Sequence, residues 1–497
     1  MKRIENFKSL IILYVLLSLF FGILLRVYNL TFEDLWFDEM VSFWVSDPSI
    51  TFKESYIRNN LIEGHPFLFN FLLKIIFNLF GYDPNLGRYF SCILSILSIF
   101  SVTYISKILS KDKSYLLTMF LISTNVFLII YSQEARVFML MFFLVSINLI
   151  FFFKTLESDE LKIHSKKIIF LFIATHILMV LSNPFTLIIS FSIILFSSIN
   201  YLKFKTNIKS VNFSMGIIVL FIIFYLPYYL FNTLAYDDFL VWIEHPNVKF
   251  YTNFYFSKFF GSRLLGIIHL IFLIGLIIKF KDQFVKLNDK KTILLIIIFL
   301  SYFLPITFGY IHYPILNSRY IIFVLIPIIL IISHLIFEIK NIHIKRILIS
   351  ILVLFTLANQ WTETNIKQFF KERGHHKSDL TSSFKYINNS RHLNFTFDTS
   401  FTEKNKEIFY KTINNYSKTL IEKSELNISI LEDLDLLLNN NNSKNIGFKK
   451  FDLDYIWIIC MVNLSKSKCS NLEINHEYFI VEEKNFIHAN LKLIKFY

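Results

Sequence analysis

Five short clusters of ionisable residues interrupt an otherwise apolar chain. The first is Glu33, Asp34, Asp38 and Glu39 around Leu35-Trp36-Phe37. Two adjacent carboxylates beside aromatic side chains form either a solvated acidic loop or a base at a membrane surface, because a carboxylate within hydrogen-bond reach can take a proton from a substrate. The second is Gly64-His65-Pro66. Proline suits a first helical position, so His65 stands near a helix N-terminus. The third, Gly81-Tyr82-Asp83-Pro84, leads to Arg88 at the mouth of an apolar run, where an arginine either snorkels or faces a site. The fourth is the short link Tyr131-Ser132-Gln133-Glu134-Ala135-Arg136, and the fifth is Asn317-Ser318-Arg319-Tyr320. A charge at the bilayer centre costs about 2.5–3.5 kcal/mol, so Glu134 and Arg136 must pair or face protein or water.

The elements that hold these clusters follow from composition. Of 497 residues, 54% are hydrophobic and 18% charged, and phenylalanine alone numbers 59. Mean hydropathy is +0.52. Disorder needs low hydrophobicity, and a single soluble enzyme has a more polar surface. The reading is a polytopic membrane protein. The net charge of +13 does not mark a nucleic-acid binder, because Lys and Arg fall in short clusters between apolar runs. Three cysteines exclude a disulfide scaffold and a four-Cys zinc site. No glycine-rich nucleotide loop occurs.

A span needs about 20 apolar residues. Segments near that length predict about eleven spans: Ser9–Leu25, Tyr89–Ile108, Tyr115–Tyr131, Val137–Phe153, Ile168–Ser182, Phe185–Tyr201, Phe213–Phe231, Leu264–Phe280, Ile293–Phe308, Tyr320–Phe337 and Ile347–Asn359. Phe67–Phe80 is shorter, about 21 Å as helix, and Asn70, Lys74 and Asn78 draw one polar stripe on it. That pattern predicts a helix lying at the interface, with a weaker amphipathic stretch at Phe52–Leu61 before it. With 26–88 outside, the lysine-rich loops fall on the cytoplasmic side and the N-terminus, which carries Lys2, Arg3 and Lys8, joins them. Beyond Trp361 the composition turns polar and apolar runs shrink to strand length, which predicts a small outer α/β domain over 361–497, separate from a membrane domain over 1–360. A helix is expected from Ser378-Asp379, another over Thr402–Leu420, and a loop at Asn439–Asn442. Cys460 and Cys469 flank a lysine-rich stretch and are paired by a hairpin or left as two thiols.

The order of the clusters is the specific feature. Leu35-Trp36-Phe37-Asp38-Glu39, then Gly64-His65-Pro66 with an amphipathic helix, then Arg88, Tyr131-Ser132-Gln133-Glu134-Ala135-Arg136 and a late Ser318-Arg319-Tyr320 resembles the polyprenyl-phosphate-sugar glycosyltransferases of the GT-C class, glycosyltransferase family 39 and its bacterial relatives. The protein O-mannosyltransferases and aminoarabinose transferases belong there. The resemblance covers roughly residues 8–340. The family often has two prolines after the histidine; here Phe67 follows Pro66. It implies an all-α GT-C membrane domain, an enzyme of the cytoplasmic membrane with no nucleic-acid partner, a lipid-linked sugar donor and a glycan, lipid or protein acceptor. It implies Asp38 as general base with Glu39 beside it, and His65, Arg88, Glu134, Arg136 and Arg319 around the donor and its phosphate. No organic cofactor is implied, and a divalent metal is left open. A transporter or flippase predicts charges inside spans, whereas here they gather at outer mouths. A non-catalytic scaffold gives no reason for the ordered set.

Overall fold

The computed structural model describes residues 2–110, 112–161, 165–204, 208–233, 257–282, 290–397, 403–421, 427–428, 455–461 and 478–496. The expected loop at Asn439–Asn442 and the residue Cys469 lie outside these. The chain divides into two compact units. One contains Met1–Tyr28, Phe52–Leu73 and Gly87–Arg373; the other contains Asn29–Thr51, Lys74–Leu86 and Gly374–Tyr497. In the C-terminal part of the chain the two units meet after Arg373, and two segments of the first loop belong to the second unit.

The first unit is helical. Its helices include α1 (Lys2–Val27), α3 (Phe52–Ile62), α5 (Asn85–Leu109), α6 (Ser114–Ser123), α7 (Val126–Ser132), α8 (Phe138–Glu160), α9 (Lys166–Ser182), α10 (Leu187–Phe204) and α11 (Lys209–Thr233). Helices Arg263–Lys279, Thr292–Ile311, Leu325–Glu338 and Ile342–Asn359 follow. Each expected span coincides with helix. Among the described residues, seven helices are long and apolar enough to cross a membrane, eight if α6 and α7 count as one. The helices α9 and Arg263–Lys279 have 17 residues each, and the apolar part of α1 runs from Ile11 to Val27. The outer faces carry large apolar side chains, such as Phe224 at 77% and Phe231 at 84% exposure. A water-facing surface avoids such contiguous exposure, and a lipid-facing one requires it.

The span expected over Tyr115–Tyr131 is broken. Its halves α6 and α7 meet at 52°. A break inside the membrane leaves carbonyls without helical partners, which hydrocarbon cannot satisfy. Arg26, fully buried near the end of α1, supplies donors. Its Nη1 donates to Ser123 O at 2.7 Å and Gly22 O at 2.8 Å, its Nη2 to Ile122 O at 3.1 Å and its Nε to Ser95 Oγ at 2.8 Å. On the other side Asn125 caps α7, its Oδ1 accepting from Leu128 N at 2.9 Å, and Gln360 Nε2 donates to Thr124 O at 2.5 Å.

The second unit holds a five-stranded sheet of order β2-β1-β3-β5-β4, with β1 Asn394–Phe397, β2 Asn427–Ile428, β3 Tyr455–Met461, β4 Tyr478–Phe486 and β5 Ala489–Phe496. β1 runs parallel to β2 and β3, and β5 runs antiparallel to β3 and β4. Helices Leu380–Asn388 and Glu403–Leu420 belong to the same unit. Asp379 caps the first, its Oδ1 accepting from Ser382 N at 2.9 Å. The short helix α2 (Phe37–Val45) also lies in this unit and buries Met40, Val41, Phe43, Trp44 and Val45.

The unit boundary falls within α4 (Leu68–Phe80). Its polar stripe differs from the sequence expectation. Asn70 and Lys74 are 0% and 1% exposed, and only Asn78 is open to solvent. Lys74 Nζ donates to Ile50 O at 2.8 Å and also to Asp47 O. Asn70 Nδ2 donates to Asn59 Oδ1 at 2.8 Å. Backbone carbonyls and a side-chain amide, rather than water, satisfy the stripe. Gly81, at φ 99°, ends the helix in the left-handed region that suits a residue without Cβ.

Replacing Arg26 by Met removes its two bonds to the Ile122 and Ser123 carbonyls at the α6–α7 break and its bonds to Gly22 and Ser95. Hydrogen bonds from charged donors contribute about 1.5–3 kcal/mol each, so a loss of about 3 kcal/mol or more is expected. Thermal unfolding of the detergent-solubilised protein measures it; an unchanged midpoint would show that the break is satisfied otherwise.

Candidate functional site

Three of the five clusters meet in the first unit. Glu63 follows α3 directly, and its N–H donates to Asn59 O at 2.8 Å, extending the last turn. The chain then turns through Gly64-His65-Pro66 into α4. This turn is anchored from two sides. Tyr229 Oη donates to Gly64 O at 2.8 Å and Asn59 Nδ2 to His65 O at 3.1 Å.

The second cluster is the link between α7 and α8. Gln133 Nε2 reaches the last carbonyls of α1 and those beyond it, Leu25 O at 3.4 Å, Arg26 O at 3.3 Å and Tyr28 O at 3.3 Å. Ala135 lies against Gly87, where an added Cβ would stand 2.7 Å from the Ala135 Cβ. Glycine at 87 is therefore what lets α5 approach the link. These contacts fix Arg136. Its Nη1 donates to Glu63 Oε1 at 2.6 Å and its Nη2 to Glu63 Oε2 at 3.0 Å, a bidentate pair. His65 Nε2 stands 3.1 Å from the same Oε2, and its Nδ1 is 3.0 Å from Pro66 O. Glu63, His65 and Arg136 are all buried. Burial by itself would raise the Glu63 carboxyl. The Arg136 and His65 charges, with the bonds both make to it, outweigh burial and hold it well below the ordinary carboxylate range.

The third cluster begins where Asn317 Oδ1 accepts from Arg319 N at 3.2 Å and starts the tight helix Ser318–Val324. The half-buried Arg319 guanidinium lies 5.5 Å from the ring centroids of both Phe138 and Tyr320. Tyr320 in turn packs on Phe185 with centroids 5.1 Å apart.

Glu63, His65, Arg136, Arg319 and Tyr320 line one cavity of about 530 Å³, together with Asn183 and Tyr229. Much of the rest of its wall is apolar, with Leu187 and Phe191 from α10, Leu226 from α11, and Leu304 and Phe308 from the helix Thr292–Ile311. An anion with an apolar tail matches this wall: guanidinium donors for the charge, aliphatic and aromatic side chains for the tail.

The remaining sequence candidates sit elsewhere. Arg88 is buried in the first turn of α5 and is not among the side chains lining this cavity. Glu134 is half-buried and is likewise not among them. Asp38 and Glu39 belong to the second unit. There most of the acidic cluster is engaged with the segment 376–381. Asp34 Oδ2 accepts from Thr381 N at 2.7 Å and its Oδ1 from Thr381 Oγ1 at 2.6 Å. Glu33 accepts from the backbone of His376 and Lys377. Glu39 Oε2 accepts from Trp36 N at 3.0 Å and Lys377 Nζ at 2.7 Å, while Lys377 lies over the Trp36 ring. The half-buried Asp38 stands at the start of α2 beside them. Among the described residues, no group of three or more His, Cys, Asp or Glu is placed to hold a metal ion.

Sequence reasoning missed Glu63, which binds two of the expected cations. Its signal was present as Glu63-Gly64-His65, two residues ahead of the histidine.

The comparisons agree on the fold. The chain aligns with the crystal structure of ArnT from Cupriavidus metallidurans in the apo state at TM-score 0.55 and 8% identity, over 99% of this chain and 98% of that one. It aligns with the same protein bound to undecaprenyl phosphate at TM-score 0.51 and 10% identity, over 98% of each chain. The architecture is that of the GT-C membrane glycosyltransferases, an all-α polytopic domain with a small C-terminal α/β part. The likeness does not reach down to family 39. No family model matches the chain, and no curated protein matches it.

The Glu63 carboxyl supplies a pH test. Its folded value lies below the unfolded 4.5, so its stabilisation is present above pH 4.5 and is lost as pH falls from there. The melting-temperature gap between wild type and Glu63→Gln should therefore narrow below pH 4.5. A gap that stays constant from neutral pH to pH 3 would show that the ion pair does not stabilise the fold.

Proposed function

We propose that the chain is an integral-membrane glycosyltransferase. It moves a sugar from a polyprenyl-phosphate donor to a hydroxyl of a glycan, lipid or protein acceptor at the outer face of the cytoplasmic membrane. The observation that carries this reading is the cavity in which Arg136, Arg319 and His65 stand, with Glu63, in a largely apolar wall. The undecaprenyl phosphate bound to ArnT, a protein of the same fold, supports it.

In this reaction the acceptor oxygen bonds to the anomeric carbon as the bond from that carbon to the phosphate oxygen breaks. The hydroxyl proton goes to a carboxylate and the lipid phosphate departs. Negative charge grows on the phosphate, so Arg136 and Arg319 stabilise the transition state more than the ground state. His65 adds a donor at the same wall. The base is Asp38. The adjacent Glu39 accepts from Lys377 Nζ and the Trp36 amide. Among the described residues, the carboxylates and histidines do not form a metal-ligand group.

Asp38→Asn should lower transfer by about 10²–10⁴-fold with expression and membrane insertion unchanged. The assay follows radiolabelled sugar from polyprenyl-phosphate donors in purified protein. Turnover within roughly threefold of wild type would remove Asp38 from the role.

The orientation has its own test. With the native cysteines replaced, an impermeant thiol reagent applied to intact cells should label Lys385→Cys, on the second unit, and spare Lys113→Cys, in the α5–α6 loop. Labelling of both, or of Lys113→Cys alone, would overturn the outward placement.

A further inference from the structure

We infer that Glu63 is a positioning residue, a resident counter-anion that holds Arg136 and His65 at the cavity wall and competes with the substrate's anionic group for them. The inference rests on the reading of the cavity as the site of a lipid-linked phosphate.

The geometry sets the terms. Both Nη atoms of Arg136 point into one carboxylate, at 2.6 and 3.0 Å, and the imidazole of His65 reaches that carboxylate at 3.1 Å. Planar, bidentate recognition is also how a guanidinium takes two phosphate oxygens. A phosphate entering the cavity therefore meets Arg136 with its fork already occupied. Arg319, stacked on Phe138 and Tyr320, is the second guanidinium of the wall.

Glu63 is poorly suited to the other role a carboxylate takes in a site. A general base works best when its proton affinity is near the working pH. The Arg136 guanidinium, with His65 beside it, holds this carboxyl far below that. Nor does packing alone account for it. A buried ion pair is often replaced by apolar side chains without loss of stability, so stability is weak reason for keeping one. A counter-anion at this point has two chemical consequences. It keeps Arg136 and His65 aimed while the cavity is empty, and it weakens the hold on the lipid phosphate product, so that product can leave.

The test is a comparison of binding with turnover. Undecaprenyl phosphate is titrated onto the full-length protein in detergent, and inorganic phosphate is titrated separately. Glu63→Gln keeps the shape of the side chain and removes the charge. Affinity for undecaprenyl phosphate should rise about tenfold, within the usual range of site coupling, while kcat falls. Glu63→Asp, which retains the charge but reaches less far, should shift both in the same directions by less, and it serves where the Gln variant does not fold. In an Arg136→Gln background the gain from Glu63→Gln should disappear, as a double-mutant cycle requires of directly coupled groups. A purely structural Glu63 would lower affinity and turnover together, and that result overturns the inference. If wild type binds undecaprenyl phosphate and neither Glu63 variant gains affinity, the inference fails and the functional reading stands. If no form binds the lipid phosphate, or inorganic phosphate binds as tightly, the functional reading itself fails.

Discussion

One carboxylate ties together residues that are far apart in sequence. Glu63 receives both guanidinium nitrogens of Arg136, 73 positions later in the chain, and stands beside the imidazole of His65. Charges in a largely apolar surrounding are tolerated when each is paired at good geometry. Arg136 could not remain at a cavity wall among Leu187, Phe191 and Leu226 without such a partner. The turn after α3 and the link between α7 and α8 are joined by this pairing.

A second constraint acts on the scaffold. Hydrocarbon leaves no backbone group unsatisfied, yet the span holding α6 and α7 is broken. Arg26, Asn125 and Gln360 take up the groups that the break exposes. The break precedes α7, and α7 leads into the link that carries Arg136. Gln133 then ties that link to the end of α1. Helix ends, rather than helix middles, do the positioning, because only there are donors and acceptors left to spend on neighbours.

The second unit uses its acidic residues in the same economical way. Asp34, Glu33 and Glu39 bind backbone amides and Lys377 within the unit. An acidic cluster that resembles a solvated loop in sequence is therefore largely an internal anchor.

Apolar run length and the change of composition after Trp361 by themselves determined that the chain is a helical membrane protein with a small α/β part after it, and where most of the long apolar helices lie. They could do so because both signals are local: one is a count of apolar residues, the other a turn to polar residues and strand-length apolar runs. The order of the clusters pointed to Gly64-His65-Pro66, Arg136 and Arg319 as site residues. Three things were decided only in three dimensions. The stripe of Asn70 and Lys74 reads as a wet face until carbonyls and Asn59 are seen to cover it. Arg26 reads as the end of a span until the α6–α7 break is seen to need its donors. Glu63 stands two residues ahead of His65, but that spacing does not name its partner; its role comes from Arg136, and no rule of spacing joins residues 73 positions apart. Tertiary structure chooses the partners of buried polar groups, because the low-dielectric interior demands a partner without naming which one.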